Sequence, residues 1–256
     1  MSGEEATDCL KDCSREELID AWGEPAMCLM GLPGDRWITG DYGKEVIVYY
    51  SLATEGDLVG SVSITWDVYT IDLYGSDHGV DHFLKQLGEY DTGYEDDVCY
   101  NVTWDMLSGQ FGFEVFKFEK SRVSFLLYDN DIYELESGFG FEGITYLAAA
   151  DLNGDGYSEL YYTFVAGSGM PYAGVGYFDT ATKENTKFTV TEDHRDIMLC
   201  MKGTGDNSIG IYKGEFDVES PVRIHLKSYE EEEIAEISCI DKEIVFEEIT
   251  GGAGNP

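Results

Sequence analysis

Between residues 151 and 160, oxygen-bearing side chains recur at a spacing that suits a hard cation. The run is Asp151-Leu-Asn-Gly-Asp-Gly-Tyr-Ser-Glu-Leu160. Counted from Asp151, oxygen donors stand at positions 1, 3, 5 and 9, with a glycine at position 6. A backbone that coils around calcium needs this arrangement. Alternate carboxylate and amide side chains converge, glycine takes the sharp turn, and a main-chain carbonyl fills position 7. The expected ligands are therefore Asp151, Asn153, Asp155, the carbonyl of Tyr157, and Glu159, and the expected cofactor is Ca2+. An acidic turn that merely joins two strands would need the Asp-Gly pair, but not Asp151, Asn153 and Glu159 as well.

The surroundings separate this loop from a helical calcium site. An EF-hand closes with a bidentate glutamate at position 12, where this chain has Tyr162. The flanks, Ile144 to Ala150 and Tyr161-Tyr-Thr-Phe-Val165, favour a pleated surface. The stretch resembles the strand-loop-strand calcium sites of FG-GAP (integrin-type) and VCBS repeats, whose pattern is D-x-D/N-x-D-G-x-x-D/E-L. The likeness is close from Asp151 to Leu160 and loose from Ala148 to Asp179. The chain departs from the pattern in having Glu159 where aspartate is usual, and in showing one such loop where those families carry several. Aromatic residues crowd the same region. Tyr161, Tyr172 and Tyr177 are candidate binding residues if they form a platform for a sugar or peptide; the other reading is a β core with half-buried tyrosines.

Composition narrows the possible partners. The chain has 256 residues, 16 basic against 51 acidic, and a net charge of −35. Such a surface repels phosphate backbones and anionic lipid, so nucleic acid and membrane surfaces are discounted. It suits calcium, cationic partners or plain solubility, and halophile surfaces look similar. No apolar run approaches the roughly 20 residues of a membrane span. The start, Met1-Ser-Gly-Glu-Glu-Ala, has no basic and apolar segments of a signal peptide. A calcium loop and low lysine nevertheless suit millimolar external calcium, so the expected location is extracytoplasmic, on a cell surface or secreted, with a cytoplasmic location as the alternative. The six cysteines are expected to be free thiols, since their spacing selects no pairing.

The order of patterns points to an α+β protein: a small N-terminal αβ domain, then an antiparallel, mostly β domain built as a sandwich or twisted sheet. The expected segments are a loose terminus at 1–13, an α+β domain at 14–108, a β domain at 109–250 carrying the calcium loop, and a flexible tail at 251–256. Ser14-Arg-Glu-Glu17 predicts a capping box opening a helix that Gly23 and Pro25 end. A second helix is expected with Asp77 as its cap, Val80, Phe83, Leu84 and Leu87 as its apolar stripe, and Gly88 as its stop. About a dozen strands are expected after Phe111. The order from Leu18 through Gly23, Pro25 and Trp37 to Val46 and Val48 resembles the β-lactamase-inhibitory-protein-like fold, shared with small outer-membrane assembly lipoproteins. That resemblance covers residues 14 to 50 and implies a binding or assembly role.

Other chemistry finds less support. His78 and His82 stand four apart, the spacing of a helical zinc pair, but no third ligand lies near them in sequence. No G-x-S-x-G elbow, P-loop, G-x-G-x-x-G leading from a strand into a helix, or H-E-x-x-H occurs. Glu230 to Glu233 reads as a solvated acidic face or a charged strand edge. The expected function is a non-catalytic, calcium-stabilised binding protein of a bacterial cell surface or envelope. It would act as a monomer on a protein or glycan partner. Two alternatives remain: an inhibitor or assembly factor of the β-lactamase-inhibitor-like class, and a hydrolase that uses a carboxylate pair.

Overall fold

The computed structural model describes residues 3–11, 13–25, 27–28, 34–38, 44–51, 58–66, 69–103, 108–109, 111–138, 141–167, 169–190, 197–204 and 208–249. Residue contacts divide the chain into two compact units, Met1–Asp67 and Val68–Pro256. The architecture is mostly antiparallel β sheet. The expected tail at 251–256 lies outside the described residues.

The first unit holds helices α1 (Gly3–Leu10) and α2 (Arg15–Trp22), and strands β1 (Met27–Cys28), β2 (Gly34–Ile38), β3 (Lys44–Ser51) and β4 (Leu58–Trp66). The strands form an antiparallel sheet in chain order. The expected capping box is present: the Glu17 N–H donates to Ser14 Oγ, and the Ser14 N–H donates back to the Glu17 carboxylate at 2.8 Å. Gly23, at φ +83, ends α2. Residues 3–10, expected to be loose, instead form α1. Ala6 and Leu18 are buried with Trp37, Val48, Tyr50 and Val59, and Leu10 packs against them. A largely polar octapeptide thus owes its helix to one small buried side chain and its tertiary contacts rather than to propensity.

Asp35 on β2 ties this unit together. It is 1 % exposed and takes the Arg15 Nε at 2.5 Å and the Tyr50 hydroxyl at 3.0 Å. Changing Asp35 to alanine leaves a guanidinium and a buried phenol without this acceptor. Asp35→Ala is expected to destabilise the first unit by about 2–3 kcal/mol, because Arg15 keeps partial access to water. Urea unfolding followed by tryptophan fluorescence measures this; an unchanged midpoint would remove Asp35 from the stability argument.

The second unit begins with strands β5 (Tyr69–Ile71) and β6 (Leu73–Tyr74), helix α3 (Val80–Leu87) and strand β7 (Cys99–Asn101). It continues through β8 (Glu114–Phe118), β9 (Ser124–Tyr128), β10 (Asp131–Glu136), β11 (Gly143–Ala150) and β12 (Glu159–Ala166). Next come β13 (Tyr172–Asp179), β14 (Glu184–Thr189), β15 (Met198–Thr204), β16 (Ser208–Ser220), β17 (Arg223–Ile240) and β18 (Glu243–Glu248). The sheets have the orders β10-β9-β8-β7, β14-β13-β12-β11-β5 and β15-β16-β17-β18, with β6 paired to β17.

These sheets stack as three layers rather than the two of a simple sandwich. On the central sheet, Ile144, Leu147, Leu160, Tyr162 and Phe164 pack with Val115, Leu126 and Leu135 of the β7–β10 sheet. On its other face, Tyr146, Ala148, Tyr161 and Val175 pack with Leu199, Ile209, Ile211, Ala235 and Ile237 of the β15–β18 sheet. Strands β11 and β12 are buried along their whole length. Burial on both faces explains why they read as unbroken apolar runs instead of alternating.

The boundary expected near residue 108 falls at Asp67/Val68. Strand β5 pairs with β11, β6 with β17 and β7 with β8, while Phe83 of α3 stacks on Phe116 at 4.1 Å. Residues 69–103 therefore belong with the β-rich unit. Helix α3 also starts differently from expectation. Its cap position is Gly79, without a side-chain cap bond, and Asp77 contributes only its carbonyl to the Val80 N–H. Leu84 of the expected stripe is 37 % exposed, whereas Phe83 is buried and Val80 and Leu87 pack partly buried beside it. Among the described residues, no helix is long and apolar enough to cross a membrane.

Candidate metal centre

Strands β11 and β12 form an antiparallel hairpin whose last pair is Ala150 with Glu159. The acidic loop is therefore held at both ends by the central sheet. Three of the expected ligands converge. Asp151, Asp155 and Glu159 each bring one carboxylate oxygen within 4.8 Å of the others. Gly156, at φ +91, lies in the left-handed region where a side chain would be strained, as a tight coil demands.

The loop's hydrogen bonds curl it inward. Asp151 takes the N–H groups of Asp155 at 3.1 Å and Gly156 at 3.0 Å, through separate oxygens. Asn153 Oδ1 takes the Asp155 N–H, and Asp155 takes the Tyr157 N–H at 2.8 Å. Glu159 is 1 % exposed and accepts three donors: the Leu152 N–H at 3.1 Å, the Asn153 amide at 2.8 Å and the Tyr161 hydroxyl at 3.0 Å. Asn153 thus joins the cluster as a partner of Glu159 and Asp155. The Tyr157 side chain is 60 % exposed, so it does not share in the cluster.

The electrostatics are unfavourable for three free carboxylates. Burial pushes the Glu159 carboxyl up to about 8, helped by the charges of Asp151 and Asp155, even though the Leu152 and Tyr161 donors pull it down. Burial also raises Asp151, with the Asp155 charge adding to it and backbone N–H groups opposing it. A cation placed among these oxygens would reverse both tendencies. The donor set is oxygen only, the ligand chemistry of hard divalent cations.

The three candidate tyrosines do not form one platform. Tyr161 is fully buried, and its ring lies 5.8 Å from that of Tyr177, which is half-buried on the same face of the central sheet. Tyr172 starts β13, about 16 Å of strand away, and packs edge-on against Phe164 on the opposite face. Successive residues of a strand point to opposite faces, so closeness in sequence misleads here. Tyr172 instead borders a separate cleft of about 370 Å³, with Met170, Pro171, Thr189 and Val190.

The remaining candidates stand apart from the loop. His78 precedes α3 whereas His82 lies on it, so they do not form a helical pair, and both are exposed. Cys9, Cys13, Cys99, Cys200 and Cys239 are free thiols, and burial pushes Cys99 up to about 12 and Cys200 up to about 11. Glu230–Glu233 lies within β17, mostly exposed. The fold and this loop define an antiparallel, mostly β protein with an acidic hairpin cluster. No protein-family model, curated protein or solved structure matches the chain.

Proposed function

We propose that this protein is a non-catalytic interaction module whose β11–β12 hairpin binds calcium, with Asp151, Asn153, Asp155, the Tyr157 carbonyl and Glu159 as the ligand set. The observation that carries this reading is the convergence of three carboxylates, one of them almost fully buried. Gathering like charges around a buried carboxylate is unfavourable until a cation or a proton neutralises it, and a cation also satisfies the oxygens of all three. The ion's role would be structural. It would clamp residues 151–159 to the end of the central sheet and lower a negative charge density that the net −35 makes high throughout. Stiffened in this way, the hairpin would present neighbouring loops to a protein or glycan partner. A loop of this kind fits millimolar calcium, and so a cell-surface or secreted setting.

Thermal melting with calcium and with EGTA tests the ion. With a dissociation constant of about 0.1–1 mM, 10 mM calcium should stabilise the protein by roughly 1.4–2.7 kcal/mol. That corresponds to a Tm rise of about 3–10 °C. Asp151→Ala should lose the rise. A wild-type melt indifferent to calcium would remove the ion from the proposal.

A further inference from the structure

Strand β8 reads Glu114-Val-Phe-Lys-Phe118, and Lys117 on it is completely buried. Its side-chain nitrogen donates to the carbonyl of Ile144 at 2.6 Å, near the start of strand β11. It also donates to the carbonyl of Pro221 at 2.5 Å, between β16 and β17. One side chain therefore joins all three sheets of the second unit. Lys117 pairs across the ladder with Ser124, which is also buried and uncharged.

Few charges answer it. Glu142, on the connector leading into β11, attracts the ammonium, and Arg122, in the β8–β9 turn, repels it. Glu142 Oε2 is buried and accepts no hydrogen bond, so this carboxylate acts at a distance and not through that oxygen. The Arg122 guanidinium is held by the carbonyls of Phe141 and Lys120. Beside Pro221, Glu219 and Arg223 are exposed and face each other at 4.0 Å. Burial dominates the balance and pushes the Lys117 amine down to about 7.

We propose that Lys117 makes the junction of the three sheets acid-sensitive: proton uptake by its buried amine favours local opening of the seam formed by β8, the start of β11 and the β16–β17 turn. A neutral amine still has two N–H groups for its two carbonyl partners, so losing the proton breaks neither bond. Gaining it adds a charge in a dry site with no carboxylate in contact. The sign follows from linkage. The closed state holds its proton only below about 7, whereas an exposed lysine holds it to about 10.5. Between those limits the open state binds more protons, so closure strengthens as pH rises and is weakest below about 7.

Hydrogen exchange on the full chain in EGTA, corrected for intrinsic rates, tests this at residues 143–150 and 217–226 between pH 6 and 9. In wild type the opening constant should grow by up to tenfold per pH unit as pH falls from 9 to 7, then level off. Lys117→Met should flatten that profile. Glu142→Gln removes the attracting charge and should shift the levelling point to lower pH. A flat wild-type profile, or a Lys117→Met profile matching wild type, would overturn the proposal. Should Lys117→Met fail to fold, the Glu142→Gln profile decides: a shifted levelling point upholds it, and an unmoved one overturns it.

Discussion

Gly138→Ala is expected to unfold the second unit, whereas Gly88→Ala should cost only about 1 kcal/mol. Both glycines have left-handed backbones, at φ +68 and +74. Their surroundings differ. A Cβ on Gly88 meets nothing within 4 Å. One on Gly138 would sit 2.2 Å from the Ser121 carbonyl oxygen and the Val123 nitrogen, and 2.5 Å from the Arg122 carbonyl carbon. All three are main-chain atoms of the β8–β9 turn, which cannot easily retreat. The Asp97 carboxylate holds the N–H groups of Lys120 and Ser121, and the Arg122 N–H bonds back to Phe118. Relief would have to come from the connector that feeds β11, the strand buried on both faces. A loss above about 4 kcal/mol follows, a large part of the 5–15 kcal/mol that holds a typical domain. Circular dichroism melts of both variants check this. A Gly138→Ala Tm within a few degrees of that of Gly88→Ala would show that the turn yields.

Local signals in the sequence carried over where the physics was local. The Ser14 and Glu17 capping box needs only neighbours in the chain, and it formed as expected. Asp129 and Asn130 both take positive φ, and they join β9 to β10 as the two-residue loop of a tight hairpin requires. The spacing of Asp151, Asp155 and Glu159 also translated into convergence, because a short loop between two paired strands leaves its side chains little room to diverge. Long-range pairing was invisible. Strands β5 and β6 have three and two residues, too few for any periodicity, and their partners β11 and β17 lie far along the chain. That is why the boundary was expected some forty residues too late. Lys117 was missed for another reason. In Glu114-Val-Phe-Lys-Phe118 a lysine reads as solvent-facing, yet β8 is covered on both faces: Phe116 and Phe118 pack with Phe83 of α3, and Val115, on the face Lys117 shares, packs against the central sheet. The number of layers is a tertiary property that alternation within one strand does not encode.

Glu159→Gln should separate the repulsion within the acidic loop from its capacity to hold an ion. Its amide oxygen can still take the Leu152 N–H and the Tyr161 hydroxyl, and the Asn153 amide can reverse to face its nitrogen. Reversal gives up one acceptor for the Asp155 N–H, which retains Asp151 Oδ1. Burial raises the Glu159 carboxyl to about 8, so near neutral pH the folded wild type must take up a proton there. Glutamine is neutral without it, so Glu159→Gln in EGTA should melt at or above the wild-type temperature. In 10 mM calcium the order should invert, since the proposed ion would give wild type roughly 1.4–2.7 kcal/mol and the variant would lose most of that gain. Glu159→Ala behaves differently, because it takes this carboxylate away from the Leu152 N–H, the Asn153 amide and the buried Tyr161 hydroxyl. It should melt lower under both conditions, by about 3 kcal/mol of stability. The pair of variants distinguishes an ion site from a polar plug. If Glu159→Gln responds to calcium as wild type does, the buried carboxylate is not a ligand. If instead it falls alongside Glu159→Ala in EGTA, the carboxylate serves to satisfy its three donors, and the charge cluster needs no cation to explain it.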